Sequence, residues 1–302
     1  MNLQIIKNRK IFLSISALAI TGSILALIFW GLNFGVDFAG GSLMEVKFDN
    51  YQATVTEVQD SLKEVNLQSL TIQPTQDSVI LRFKEDSEEA HQAVLSGLQK
   101  LAAEKETTMT ELQFDSVGPT VGQELKSKSF NTAVVVLLAI VFYISMAFCK
   151  VSRPVASWKY GVTAIIALAH DIIITLGVFS FLGHFYGIEV NTPFIAAILT
   201  VLGYSVSDTI VVFDRIRENL PKSQDNFEDT VNRSINQTMV RSINTSFSSI
   251  LALVAILFFG GSTIRDFAMA LVVGIFVGTY SSIFIASPVL VLWEKAMHRK
   301  NS

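Results

Sequence analysis

Charge is scarce in this chain. Only 16% of its 302 residues are Asp, Glu, Lys or Arg, while 50% are hydrophobic; ordinary soluble domains carry about a quarter charged residues. Together with a mean hydropathy of +0.47, this excludes a soluble globular protein and predicts one that crosses a membrane. Cysteine is scarcer still. Cys149 stands alone beside Lys150, so no intrachain disulfide is possible and any aqueous domain folds without staples. The polar stretch contains no His/Cys cluster at metal-ligand spacing and no glycine-rich phosphate loop, so neither a metal nor a nucleotide cofactor is expected. The net charge of −3 offers no basic excess to a nucleic acid.

The charge that is present lies mostly in one block. Residues 33–130 carry sixteen acids and eight bases, net −8, and the remainder carries ten acids and fifteen bases, net +5. Such a split implies two solvents, an acidic aqueous domain and basic loops on the cytoplasmic side of a lipid membrane. Six segments supply the roughly 20 apolar residues a spanning helix needs: near 11–32, 130–149, 160–182, 191–213, Arg241 to Gly260, and Phe267 to Trp293. His170 and Asp171 alone interrupt the third, and Asp208 alone the fourth. One side collects Lys7, Arg9, Lys10, Lys150, Arg153, Lys159, Arg215, Arg217, Lys222, Arg233, Arg241, Lys295, Arg299 and Lys300, whereas the other short loops offer only Arg265. Both termini are therefore expected in the cytoplasm and residues 33–128 outside. The first apolar run exceeds a signal-peptide core, and Trp30-Gly31-Leu32-Asn33 offers no small-residue cleavage site, so an uncleaved anchor is expected. The expected layout is 1–32 for the N-terminus and first span, 33–128 for the external domain, and 129–302 for spans two to six.

Within the external stretch, period-2 and period-3.6 patterns alternate. Ser42 to Phe48 reads as a strand and Thr54 to Val65 as an amphipathic helix. Leu67 to Gln73 and Val79 to Phe83 read as strands around Pro74-Thr75-Gln76-Asp77. Ser87 is an N-cap for a helix reaching Lys105, and Glu111 to Val117 is a fourth strand. The order βαββαβ predicts an antiparallel sheet covered by two helices, the α+β ferredoxin-like arrangement.

Several segments then match one family together: Asn33 through Ser42 (NFGVDFAGGS), Val117 through Gly122 (VGPTVG), Ala167 through Asp171 (ALAHD), and Gly203 through Asn219 (GYSVSDTIVVFDRIREN). They resemble the SecD/SecF family of protein-export membrane proteins, within the resistance-nodulation-division (RND) superfamily, and the likeness covers nearly the whole chain. The resemblance implies a six-helix half of an RND transporter that pairs with SecD, a similar half with a larger external domain. It also implies a bacterial inner-membrane accessory of the SecYEG translocon, with YajC as a further partner and exported preproteins meeting the external domain. Its work is to use the proton-motive force in late steps of preprotein translocation. Protons are then the coupling ion, with no other cofactor and no enzymatic reaction.

An ionisable group inside a span is costly and marks a functional hypothesis. Asp208 lies six residues, about 9 Å, before Asp214, so it is expected in the cytoplasmic-side third of the bilayer. Gly203 and Ser207, four apart, have the spacing that lets helices approach closely. Arg241 is expected to open span five and begin a polar stripe with Thr245 and Ser248; the resemblance places a transport arginine here, whereas by itself it reads as an anchor. Asp171 is expected deeper than Asp208. Because neighbouring helix positions diverge by about 100°, only one of His170 and Asp171 is expected to line a path, with interhelical hydrogen bonding the alternative for Asp171 and a structural place for His170. Gly40-Gly41 and Gly118-Pro119 read as turns joining the external domain to spans one and two, and as candidate hinges. Three other functions compete: a small-molecule or lipid exporter of the same superfamily; an intramembrane aspartyl protease, which the unequal depths expected of Asp171 and Asp208 disfavour; and a passive scaffold, for which replacing Asp208 would be harmless.

Overall fold

The computed structural model describes residues 3–75, 77–148, 155–259 and 262–301. Gln76, Cys149, Lys150, Arg153 and Gly260 lie outside the described residues, as do the side chains of Arg299 and Lys300. In chain order the helices are α1 (Arg9–Phe29), α2 (Val36–Ala39), α3 (Val55–Ser61), α4 (Glu88–Glu104), α5 (Pro119–Phe148), α6 (Ser157–Tyr186), α7 (Thr192–Asn219), α8 (Phe227–Phe259), α9 (Ser262–Ser281) and α10 (Ser287–Asn301). A π-helical segment, Ser282–Ala286, carries α9 into α10. The strands are β1 (Gly41–Phe48), β2 (Thr71–Pro74), β3 (Val79–Phe83) and β4 (Met109–Val117). Two compact units result, Phe34–Phe130 and the rest of the chain.

In the first unit the sheet order is β2-β3-β1-β4, with every pairing antiparallel, the topology predicted from βαββαβ. Alternation places Met44, Val46 and Phe48 with Val79, Leu81 and Phe83 in one core, which Val58 and Leu62 join from the α3 side and Val94, Leu98 and Leu101 from α4. Two boundaries differ from the sequence reading. The expected strand from Leu67 shrinks to Thr71–Pro74 because Asn66 and Ser69 adopt φ of 51° and 57°, a left-handed turn no strand accommodates. The expected helix to Val65 is α-helical only to Ser61, then 3₁₀ over Lys63–Val65, ending at the same Asn66.

The start of α3 is fixed by a capping box, in which the Thr54 hydroxyl accepts from Glu57 N and the Glu57 carboxylate accepts from Thr54 N. The same carboxylate accepts from Tyr51 Oη at 2.7 Å and Lys105 Nζ at 2.5 Å, tying α3 to the end of α4. The Lys105 bond first, then Tyr51 and Thr54, holds the Glu57 carboxyl well below the usual carboxylate range. Because folding depresses this group, its contribution is complete above the unfolded value of about 4.3 and is lost as pH falls through the folded one. Glu57→Gln should therefore speed amide exchange in the first turn of α3 at neutral pH, with the difference from wild type vanishing in strong acid. Equal exchange at neutral pH would remove Glu57 from this role.

Among the described residues six helical stretches, α5 starting within the first unit and the others lying in the second, are long and apolar enough to cross a membrane, as predicted. They are unequally buried: 61% of the most apolar window of α9–α10 is inside the unit, against 44% for α6, 39% for α7, and 6–17% for α1, α5 and α8. The last helix of the sequence is thus the axis, packed by α6, α7 and α8. Small residues permit this closeness. A Cβ on Gly177 of α6 would lie 2.5 Å from Ser23 Cα of α1, and one on Gly274 of α9 would lie 2.3 Å from Val201 Cγ2 of α7. Aromatic clusters mark both ends of α6: Trp30 stacks on His184 and meets Phe181 and Phe185 edge-on, while Trp158 meets Trp293. Twenty-six residues separate Trp158 from His184, about 39 Å of helix, which matches a bilayer with its interfaces.

Two spans depart from the expected ends. The helix that carries span five does not begin at Arg241: α8 starts fourteen residues earlier at Phe227, with Glu228 and Asp229 in its first turn. Gly118-Pro119 is not a turn. Pro119 is the first residue of the 30-residue α5, the position where proline's missing N–H costs nothing.

Candidate functional site

Asp208 projects from the middle of α7 and is held from two sides. Its Oδ1 accepts from Ser242 Oγ of α8 at 2.5 Å, and its Oδ2 accepts from Ser282 Oγ, the first residue of the π segment. Next to these bonds Ser246 Oγ and Thr279 Oγ1 lie 2.5 Å apart, with Tyr204 Oη donating to Ser246 at 3.4 Å. Three helices thus converge on one carboxylate through hydroxyls. Hydroxyls suit a group that changes protonation, because each can donate to a carboxylate or accept from a carboxylic acid.

Arg241 shares a cavity of about 140 Å³ with Asp208, lined also by Tyr204, Ser207, Val211, Ser242 and Thr245. Among the described residues it makes no ion pair, so guanidinium and carboxylate line one cavity without being locked together. The expected polar stripe is rotated on α8. Ser242 and Ser246 face inward and are buried, while Arg241, Thr245 and Ser248 are exposed; of these Thr245 lines the cavity and Ser248 does not. Gly203 and Ser207 are also exposed, and a Cβ on Gly203 would meet nothing within 4 Å. Their spacing therefore does not serve packing within this chain, because the face they share with the cavity is open.

Asp171 and His170 form a second constellation, and both side chains enter it. His170 Nδ1 lies 2.9 Å from Asp171 Oδ1, and Asp171 Oδ2 accepts from Ser205 Oγ at 2.5 Å and Ser281 Oγ at 2.8 Å. The divergence of neighbouring helix positions was expected to separate them; instead the imidazole folds back along the helix onto the carboxylate. Ser205, which holds Asp171, is three residues, about 4.5 Å, from Asp208 along α7, and Ser281 and Ser282 are consecutive, so the two carboxyls are offset by roughly that distance, Asp171 farther from the Asp214 end, with hydroxyls between them. A shared-proton dyad needs its carboxyls about 3 Å apart, with nothing interposed.

The four residues proposed as hinges meet at one packed corner of the first unit. Gly40 and Gly41 have φ of 75° and 117°, and a Cβ would lie 2.9 Å from Pro119 Cα at Gly40 and 2.6 Å from Phe83 O at Gly41. A Cβ on Gly118 would lie 3.3 Å from Asp86 Oδ2. Positive φ and backbone contact both demand glycine at 40 and 41, and the corner is closed rather than loose. Sequence reasoning missed Ser205, Ser242, Ser281 and Ser282; the only signal was hydroxyls recurring within apolar runs.

An inserted βαββαβ domain after the first of six apolar helices, with carboxylates held among the central ones, defines a polytopic membrane protein of the RND-like class. Residues 98–296 match the family described as protein export membrane protein SecD/SecF, C-terminal, and residues 26–51, which include Gly40 and Gly41, match the SecD/SecF GG motif. The chain belongs to the SecD/SecF family. Protein translocase subunit SecF of Thermobaculum terrenum is 40% identical over 97% of this chain and 94% of its own length. The same subunit of Anaerolinea thermophila is 38% identical over 98% and 96%. The crystal structure of SecDF from Thermus thermophilus, described as a translocon-associated membrane protein, is similar with a TM-score of 0.83 at 34% identity, covering 98% of this chain and 39% of that one.

Proposed function

We propose that the chain is the SecF-type accessory subunit of the Sec export machinery. Paired with a SecD half, it uses the proton-motive force to drive late steps of preprotein translocation. The observation that carries this reading is the Asp208 carboxylate, held by Ser242 and Ser282 and sharing an open cavity with an unpaired Arg241. A carboxylate bonded to hydroxyls rather than clamped by a cation can take up a proton, and arginine keeps its own charge throughout. When Asp208 is ionised Arg241 is drawn toward it; when it is protonated that attraction ends, so the facing helices have two electrostatic states. One proton crossing 100 mV supplies roughly 2.3 kcal/mol, enough to bias such a two-state element about fifty-fold.

The open face bearing Gly203, Ser207, Arg241 and Thr245 is suited to a second six-helix half rather than to lipid, since an exposed arginine and small polar residues gain nothing from acyl chains. The fused SecDF relative supports SecD as that half. Orientation follows the basic side, with both termini in the cytoplasm of a bacterial inner membrane and residues 33–128 outside. There the sheet domain would meet preproteins emerging from SecYEG, and YajC would be a further neighbour. The closed glycine corner suits a domain moved as a rigid piece.

The test uses inverted membrane vesicles holding the chain, its SecD half and SecYEG, with and without an imposed proton gradient. Completion of preprotein export should rise with the gradient and return to baseline with a protonophore. Equal completion in both conditions would overturn the reading.

A further inference from the structure

We propose that the buried His170–Asp171 pair is a second proton-binding site, coupled to Asp208 through the adjacent hydroxyls of Ser281 and Ser282. The inference rests on the reading of Asp208 as the transport carboxyl.

The pair is built to hold one proton. Asp171 is fully buried and His170 is 2% exposed, and among the described residues no lysine or arginine pairs with the carboxylate. An ionised Asp171 beside a neutral imidazole leaves one negative charge in an apolar bundle, which three donors, His170 Nδ1, Ser205 and Ser281, stabilise. One added proton makes the pair neutral overall, as imidazolium with carboxylate or as imidazole with carboxylic acid.

Both states close their hydrogen bonds without a heavy atom moving. His170 Nε2 lies 3.2 Å from Ser16 Oγ of α1, Ser16 Oγ lies 3.5 Å from Tyr280 Oη, and Tyr280 Oη donates to Phe12 O at 3.0 Å. A neutral imidazole accepts the Ser16 proton at Nε2. An imidazolium donates there, and Ser16 turns its own proton to Tyr280. The chain of donors thus accommodates either protonation state.

The coupling is geometric. Ser281 and Ser282 each carry one hydroxyl proton and have two acceptors. Ser281 can donate to Asp171 Oδ2 or to Gly278 O at 3.0 Å; Ser282 can donate to Asp208 Oδ2 or to Thr279 O at 3.0 Å. An ionised carboxylate wins that competition because a charge-assisted bond is the stronger. Adding H⁺ to a carboxylate makes it a carboxylic acid that donates to the serine oxygen, and the serine proton moves to its own helix carbonyl. Gly278 and Thr279 occupy the same last turn of α9 before the π segment, so both events act on one stretch of backbone; π segments recur at such functional places in helices. The titratable groups facing Asp171 are His170 and, from α9, Tyr280, with Asp208 beyond the two serines; α1 contributes Ser16 and α7 Ser205. Those facing Asp208 are Arg241 and Tyr204.

The experiment is a pH titration of the infrared carboxylic C=O bands of the full chain with its SecD half in lipid nanodiscs, alongside gradient-dependent export. Asp171→Asn should remove one titrating band and Asp208→Asn another. In Asp208→Asn the midpoint of the remaining Asp171 band should differ from wild type by about one pH unit, tenfold in proton affinity. Ser281→Ala with Ser282→Ala should shrink that difference to about a third of a unit or less. His170→Gln, which keeps the carboxyl, should also displace the Asp171 band, and Asp171→Asn should lower gradient-dependent export about tenfold. A titration unchanged by Asp171→Asn overturns the second site, and an Asp171 midpoint indifferent to Asp208→Asn overturns the coupling. If instead Asp171→Asn removes its band while Asp208→Asn removes none, the Asp208 reading falls and the coupling with it.

Discussion

Asp208→Asn should abolish the gradient-dependent part of preprotein export, a loss of at least about tenfold, and leave gradient-independent export at its wild-type level. Asparagine matches aspartate in shape, so packing among α7, α8 and the π segment is retained. Its amide still accepts one hydroxyl bond through oxygen, but the NH₂ group now points a donor at Ser242 or Ser282, whose hydroxyls must turn to accept it. What disappears is the ability to carry a charge that a proton removes, and with it the alternation of attraction toward Arg241. Export measured in vesicles of matched expression and matched SecD content checks this. Asp208→Glu, which keeps a titrating carboxyl one methylene further out, should retain a measurable share. Full gradient-dependent export by Asp208→Asn would reduce the carboxylate to a helix–helix contact.

The second large effect is on stability. Lys159 Nζ donates to Glu294 Oε2 at 2.5 Å, and the two side chains are only 7% and 12% exposed. The pair joins the start of α6 to α10 beside the Trp158–Trp293 contact. Lys159→Met takes the lysine cation away from the buried Glu294 carboxylate, and breaking a buried pair in this way costs about 3–5 kcal/mol, whereas replacing both partners with apolar residues is often near neutral. Lys159→Met should therefore lower the unfolding temperature in detergent markedly, and Lys159→Met with Glu294→Leu should recover most of the loss. A single substitution that unfolds at the wild-type temperature would show that water, rather than protein, surrounds this pair. In the sequence Lys159 counted only as one more basic residue on the cytoplasmic side; the structure gives it a partner 135 residues away.

That contrast runs through the molecule. Amphipathic periodicity and the N-cap at Ser87 are local signals, so the βαββαβ order was legible, and six long apolar runs, four of them charge-free, announced six helices. The failures were also local in cause. A strand was begun at Leu67, through Ser69 and directly after Asn66, whose left-handed backbones no alternation pattern reveals, and Pro119 was taken for a turn when proline also begins helices. At the site, the cost of an ionisable group in lipid made Asp171 and Asp208 stand out, and residue type alone sufficed. The facing of Arg241, Thr245 and Ser248 did not follow, because the azimuth of α8 is set by what α7 and α9 offer it.

The sequence by itself determined that this chain crosses a membrane six times, which side is basic, and which residues carry costly charge within the spans. Those properties depend on composition and on neighbours a few positions away. Only the tertiary structure decided that Ser242 and Ser282 hold Asp208, that Ser205 and Ser281 hold Asp171, and that both carboxylates meet at one α-to-π junction. Hydroxyls in apolar helices look alike along a chain, and their partners are chosen by how the helices rotate and approach, at glycines such as Gly177 and Gly274 that allow a separation no larger side chain would permit.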